Sequence, residues 1–198
     1  MKKKKTKKEL IKEEIENDFL LFTFLLATAS MMMIALQKYS FNIGIYAIPF
    51  SVFVLPVLIF ICNYITKKLG FKKALGSIMI SSLILLAFLI LIYDLVRREI
   101  DIIDLASNVL SYFICLFVNL LIYYYVITNL DEKIEGIFIY IEYIFVIMIF
   151  FFVFMSISNN MVMTDNDWVS YSISIIIEAI LSIVAVFIDN KIKRGLKL

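Results

Sequence analysis

Six apolar stretches, each near the length needed to cross a bilayer, constrain this chain more than any other feature. They occupy residues 19–37, 44–66, 74–95, 106–128, 137–158 and 169–188. About 20 apolar residues cross the roughly 30 Å of a hydrocarbon core as a helix. In lipid the backbone must satisfy its own hydrogen bonds, so a span is a helix or part of a closed barrel. Barrel strands alternate apolar and polar residues, whereas these runs are continuously apolar. The sequence therefore predicts an all-α polytopic membrane protein, a bundle of six transmembrane helices. With 63% hydrophobic residues and a mean hydropathy of +0.96, the chain carries more apolar surface than a soluble core of this size takes up. The expected organisation is a basic tail over residues 1–18, a transmembrane domain over 19–190 and a second basic tail over 191–198.

Cations divide unequally between the two ends of these spans. The N-terminal tail holds Lys2, Lys3, Lys4, Lys5, Lys7, Lys8 and Lys12. Lys67, Lys68, Lys72 and Lys73 lie between spans two and three, Lys133 between four and five, and Lys191, Lys193, Arg194 and Lys197 after the sixth. The opposite side has Lys38, Arg97 and Arg98 alone. Positive charge is retained in the cytoplasm, so both termini are expected there, in a bacterial inner membrane. The 159–168 loop has Asp165 and Asp167 and no cation, and Trp168 and Tyr171 stand where an interfacial anchor is expected. Ala27-Thr28-Ala29 has the form of a signal-peptidase site, but the apolar run continues to Leu36, so the first span is expected to be retained. The cation clusters read first as topology determinants that can also meet anionic lipid headgroups, and not as a nucleic-acid surface.

What is missing narrows the chemistry. The chain has no His, only two Cys, both inside spans, and five Gly with no phosphate-binding loop among them. Ser-His and Cys-His nucleophiles, His-based metal sites and dinucleotide motifs are absent. No enzyme activity and no cofactor are expected. The tail before the first span can place Leu10, Ile11 and Ile15 on one helical face against the membrane, or remain solvated.

Polar residues inside the spans carry the functional expectations. Glu178 is tenth in the sixth span. An acidic residue at that depth is costly to insert, by about 2.5–3.5 kcal/mol on insertion scales, and normally faces the bundle or a wet cavity. Ser174 and Ser182, four residues either side, share its helical face. Glu178 reads as a substrate or proton site, or as a neutral acid bonded to Ser or Asn across helices. A second stripe, Asn108, Ser111, Cys115, Asn119 and Tyr123, runs along the fourth span. Asn119 can meet a heterocycle edge or pack against another helix. Thr23, Ala27, Ser30 and Gln37 share one face of the first span and read as a close-packing surface, and Ala74, Ser77 and Ser81 on the third read similarly. Glu142, five residues into the fifth span, is expected near the cytoplasmic interface. Pro49 and Pro56 should each break or kink the second span.

Ala35-Leu36-Gln37-Lys38, then Gly44, Ile48-Pro49, Phe53, Pro56, Phe60, Asn63 and Gly70, and finally Lys72-Lys73-Ala74, resemble the queuosine-precursor transporter family, also called the vitamin uptake transporter family. The resemblance implies six spans and import of deazaguanine precursors. It places Asn63 and Asn119 where that family has Asp, and Glu178 where it has Lys. The Gln and Asp-Thr signature of the family's fifth span is replaced by the apolar run from Tyr143 to Phe152. The expected site is then Asn63, Asn119 and Glu178, with Ser174 and Ser182, around a small solute. Two other functions fit the same architecture. One is the substrate-binding subunit of an energy-coupling-factor importer, partnered by an ATPase module. The other is a non-transport membrane protein that binds partners or copies of itself as a homo-oligomer.

Overall fold

The computed structural model describes residues 7–37, 39–95, 102–130, 132–157 and 165–195. Lys38, Arg97, Arg98 and the 158–164 segment lie outside the described residues, as do the side chains of Trp168 and Tyr171. Six helices make up most of the chain: α1 (Lys7–Gln37), α2 (Leu55–Leu69), α3 (Phe71–Leu95), α4 (Ile102–Asn129), α5 (Glu132–Ile157) and α6 (Asp165–Gly195). Among the described residues, five segments are long and apolar enough to cross a membrane: Glu13–Leu36, Phe50–Leu69, Phe71–Ile92, Ala106–Asn129 and Ile134–Phe154. The apolar part of α6, Ser172–Ile188, is shorter. Tail residues from Lys7 to Asp18 continue α1 as one helix instead of forming a separate element.

The first part of the expected second span is not helical. Residues Ser40–Ile43 (β1) and Tyr46–Pro49 (β2) form an antiparallel hairpin, with Phe41 opposite Ile48 and Ile43 opposite Tyr46. A 3-10 turn, Phe50–Phe53, leads into α2. Local chemistry explains the change. Gly44 takes φ +64° at the first position of the two-residue turn, where a tight hairpin needs positive φ and glycine supplies it freely. Phe41, Ile43, Tyr46 and Ile48 are aromatic or β-branched and favour strands. Pro49 is tolerated opposite Ser40, a position whose N–H would point away from the partner strand, and the Phe50 N–H donates to the Tyr39 carbonyl at 2.9 Å to close the ladder. Pro56 sits in the first turn of α2, where its missing donor costs nothing. Neither proline therefore breaks a span midway. Gly70, at φ +83°, reverses the chain between α2 and α3.

α2 is the hub, touching α1, α3, α4, α5 and α6. Side-chain contacts give the direction of each neighbour. Asp18 of α1 pairs with Lys68 at 2.8 Å, and the Phe22 ring lies 4.9 Å from that of Tyr64. α1 and α2 are therefore antiparallel, and the basic turn at Lys67–Lys73 shares an end with the start of α1. Phe71 packs on Tyr124 with ring centroids 5.2 Å apart, which brings the end of α4 to the same place. The small-residue faces of the first and third spans meet each other: Thr23 Oγ1 and Ser77 Oγ are 2.8 Å apart, and Ala27 and Ala74 are buried. Ser81 Oγ meets Tyr112 Oη of α4 at 2.9 Å, tying three helices together.

α6 departs from a simple six-span register. Leu181, Val184, Ala185 and Ile188 line one groove with Phe53, Pro56, Val57 and Phe60. β2 and the 3-10 turn also touch α6. The second half of α6 therefore lies against the hairpin end of α2.

Candidate functional site

The core between α2, α4, α5 and α6 contains an unusual amount of polarity for apolar helices. α2 turns Cys62, Asn63 and Thr66 inward, and α4 turns Cys115, Asn119 and Tyr123 inward, all of them buried. Thr66 Oγ1 donates to the Cys62 carbonyl at 2.8 Å, so that hydroxyl is satisfied within its own helix. The two thiols look across to neighbouring backbones: Cys62 Sγ lies 4.0 Å from the Leu116 carbonyl and Cys115 Sγ 3.7 Å from that of Val146. Both cysteines are free and pack as small apolar groups.

Asn63 and Asn119, which the sequence reading joined in one site, meet directly. Asn119 Nδ2 donates to Asn63 Oδ1 at 2.7 Å. Each amide has two hydrogen-bonding ends, and here each spends one. Asn63 Nδ2 and Asn119 Oδ1 are left sealed and without a partner. The pair therefore leaves one donor and one acceptor unspent. Flipping both amides preserves that pattern, because the bond then runs from Asn63 to Asn119 and again leaves one of each. One amide donor and one amide acceptor are the groups that a lactam or amidine edge pairs with.

Glu178 is 1% exposed. Its Oε2 is sealed with no hydrogen-bond partner, and Cys115, one turn before Asn119, is within its electrostatic reach. The structure brings Asn63 and Asn119 into contact and leaves Glu178, the third expected residue, nearby on α6. Ser174 and Ser182 are fully buried, as the shared face required. Their hydroxyls, however, donate along their own helix, Ser174 to the Ser170 carbonyl at 2.9 Å and Ser182 to the Glu178 carbonyl at 2.7 Å. Each hydroxyl then has only acceptor capacity left.

Glu142, expected early in the fifth span, is eight residues past the start of the Ile134–Phe154 apolar segment. It is 1% exposed and within electrostatic reach of Cys62, so it faces the bundle. Tyr143, adjacent to Glu142, is equally buried. Among the described residues, no three His, Cys, Asp or Glu side chains come together as a metal-binding group.

No family model matches the chain, nor does any curated protein or solved structure. The resemblance to queuosine-precursor transporters stands on the residues quoted for it.

Proposed function

We propose that this chain is a multi-pass bacterial inner-membrane transporter for a small polar solute with a heterocyclic edge, bound between α2, α4 and α6. The observation that carries this is the set of orphaned atoms at Asn63, Asn119 and Glu178. Buried polar groups in native proteins almost always have partners, and each one left without costs about 1–3 kcal/mol. Such a set in the middle of apolar helices is expected where a ligand, a proton or water supplies the missing partners. The pair is closed off from solvent on all sides, which suits a transporter that exposes its site by moving helices. A queuosine precursor is the leading substrate class, since its lactam edge matches the donor–acceptor pair and the sequence resemblance points the same way.

Sidedness is part of the proposal. The basic turn at Lys67–Lys73 and the start of α1 occupy one end of the bundle, and the positive-inside tendency assigns that end to the cytoplasm. The basic C-terminal tail is assigned to the same side. A single cysteine placed at Leu198 in a Cys62→Ala/Cys115→Ala background tests this with an impermeant maleimide. Labelling only from the cytoplasmic face supports a full sixth crossing. Labelling from outside leaves five.

The solute reading is tested by thermal stabilisation of the purified protein against nucleobases, deazaguanines and vitamins. A ligand at 100 times its dissociation constant stabilises the native state by about 2.7 kcal/mol. A shift with one class, lost in Asn119→Ala and in Glu178→Ala, supports the site. A well-folded sample that responds to none of the panel counts against it.

A further inference from the structure

The polar face of α6 is one-sided in its chemistry. Ser174, Glu178 and Ser182 stand four residues apart and are all buried, so they share a face. Both serine hydroxyls spend their proton on their own helix, Ser174 on the Ser170 carbonyl and Ser182 on the Glu178 carbonyl. What remains to them is lone pairs, and a carboxylate likewise only accepts. Over about two helical turns these three side chains have no donor but an acid proton on Glu178 itself. An anionic or carbonyl group of a solute finds nothing to accept from there. A group made only of donors, an ammonium or an amidinium, finds acceptors throughout.

Charge leads the same way. Glu178 Oε2 is sealed without a hydrogen-bond partner, and among the described residues no Lys or Arg side chain acts on it. The titratable groups buried in the surrounding helices are Cys62 on α2, Tyr112, Cys115 and Tyr123 on α4, and Glu135, Glu142 and Tyr143 on α5. Tyr46 is the titratable residue of β2, and Lys67 Nζ is sealed one turn past Asn63. A carboxylate in an apolar layer without a counter-charge is costly, so Glu178 keeps either a proton or a cation brought by a ligand. The Asn pair belongs to the same layer: Cys62 adjoins the Asn119 side chain, and Cys115 is within electrostatic reach of both Cys62 and Glu178. Cys115 is one turn, about 6 Å, from Asn119 along α4, a span that one ring with a short substituent covers.

We infer that the solute carries a donor-only cation that pairs with Glu178 while its lactam-type edge meets Asn63 and Asn119, and that its binding releases the Glu178 proton. This rests on the solute reading above and adds to it the charge of the substrate and the ion for which it is exchanged. The step balances. The Glu178 O–H bond breaks, its proton leaves to water on whichever side is open, and an N–H of the cation takes its place against the carboxylate. The charge of the layer is the same before and after.

The purified full chain is titrated calorimetrically with two matched pairs of probes: aminomethyl and hydroxymethyl uracil, and aminomethyl and hydroxymethyl deazaguanine. Each pair keeps one ring edge and changes only the charge. The expected result is that an amine binds at least about tenfold more tightly than its hydroxyl counterpart near neutral pH. Its affinity should rise about tenfold per pH unit while the hydroxyl compound's stays flat, because only the amine must displace a proton. Titrations in phosphate and in Tris, whose heats of protonation differ, should count about one proton released per amine bound. Glu178→Gln should make the two members of a pair bind alike and abolish the release, whereas Asn119→Ala should weaken both alike. Hydroxyl compounds that bind as tightly as the amines, and lose affinity in Asn119→Ala, would overturn this inference and leave the solute reading standing. Amine binding without proton release overturns it on the unmodified chain, whether or not the variants fold. A well-folded sample that binds neither pair removes the solute reading and this inference together.

Discussion

Replacing the Asn63–Asn119 pair, singly and together, separates a structural bond from a binding site. Asn119→Leu removes the 2.7 Å bond and leaves Asn63 with a second orphaned atom in addition to Nδ2. A buried polar group stripped of its partner costs about 1–3 kcal/mol, and Asn63→Leu should cost a similar amount. The double variant removes all four amide ends, including the two already unpartnered, and puts apolar side chains between apolar helices. Replacing both partners together is close to neutral or stabilising. The double variant should thus be more stable than either single one, with a coupling of about 1 kcal/mol or more. Bonds between transmembrane helices average about 0.6 kcal/mol and reach about 1.7, so a value near or above the top of that range reflects the relief of the orphaned atoms. Reversible unfolding in mixed micelles measures all four corners of the cycle. Single-variant costs that add to within about 0.3–0.5 kcal/mol, as independent sites do, would refute the contact. The same proteins test function: the double variant should keep its fold yet lose the solute-induced thermal shift.

Glu178→Gln keeps the side-chain shape while removing its titratable proton. The variant should express normally with an altered pH dependence of uptake, measured in proteoliposomes across a pH series, and an unchanged profile removes Glu178 from the coupling. Tyr112→Phe deletes the hydroxyl that meets Ser81 at 2.9 Å, with an expected loss of about 0.5–1.5 kcal/mol. Ser81→Ala should add little on top of it, as a melting series on both and on the double variant will show. Gly44→Ala meets no atom within 4 Å of the new Cβ, so its cost is conformational alone, about 1–2 kcal/mol for a left-handed residue with a side chain. Gly44→Asn should cost less, because Asn tolerates that region better, and thermal denaturation of the pair checks the order.

Four of the helices were legible in the sequence because length and continuous hydrophobicity suffice to define them. The hairpin was not, for the same reason: an apolar run gives no sign of where helix gives way to strand. The local clues were there in Gly44 between aromatic and β-branched neighbours and in a proline at each later boundary, but the span-length criterion overrode them. The small-residue faces of the first and third spans could each be read because small residues at helical spacing have few other uses, but that these two faces meet could not. Tyr112, which joins them to α4, had no such signature, since a lone tyrosine in an apolar run looks like filler. Asn63 and Asn119 could each be named from sequence, yet their direct bond depends on how α2 and α4 rotate about their own axes. Glu178, Ser174 and Ser182 were placed on one buried face by periodicity. Periodicity could not tell that the serine hydroxyls turn back on their own backbone.

The shortness of α2 has a consequence for access to the buried pair. Fifteen residues make a helix of only about 22 Å, less than the roughly 30 Å of hydrocarbon, and the hairpin and 3-10 turn cover the remainder. A hairpin edge has backbone groups that hydrocarbon cannot satisfy, so that side of the bundle must meet water or headgroups close to where α2 begins. Asn63 lies eight residues from Leu55 and six from Leu69, about 12 Å and 9 Å along the axis. Measured along α2, two thin plugs of comparable thickness separate the amides from the aqueous phases. Levering open either plug by about two turns would reach the pair while the other half of the helix stays seated.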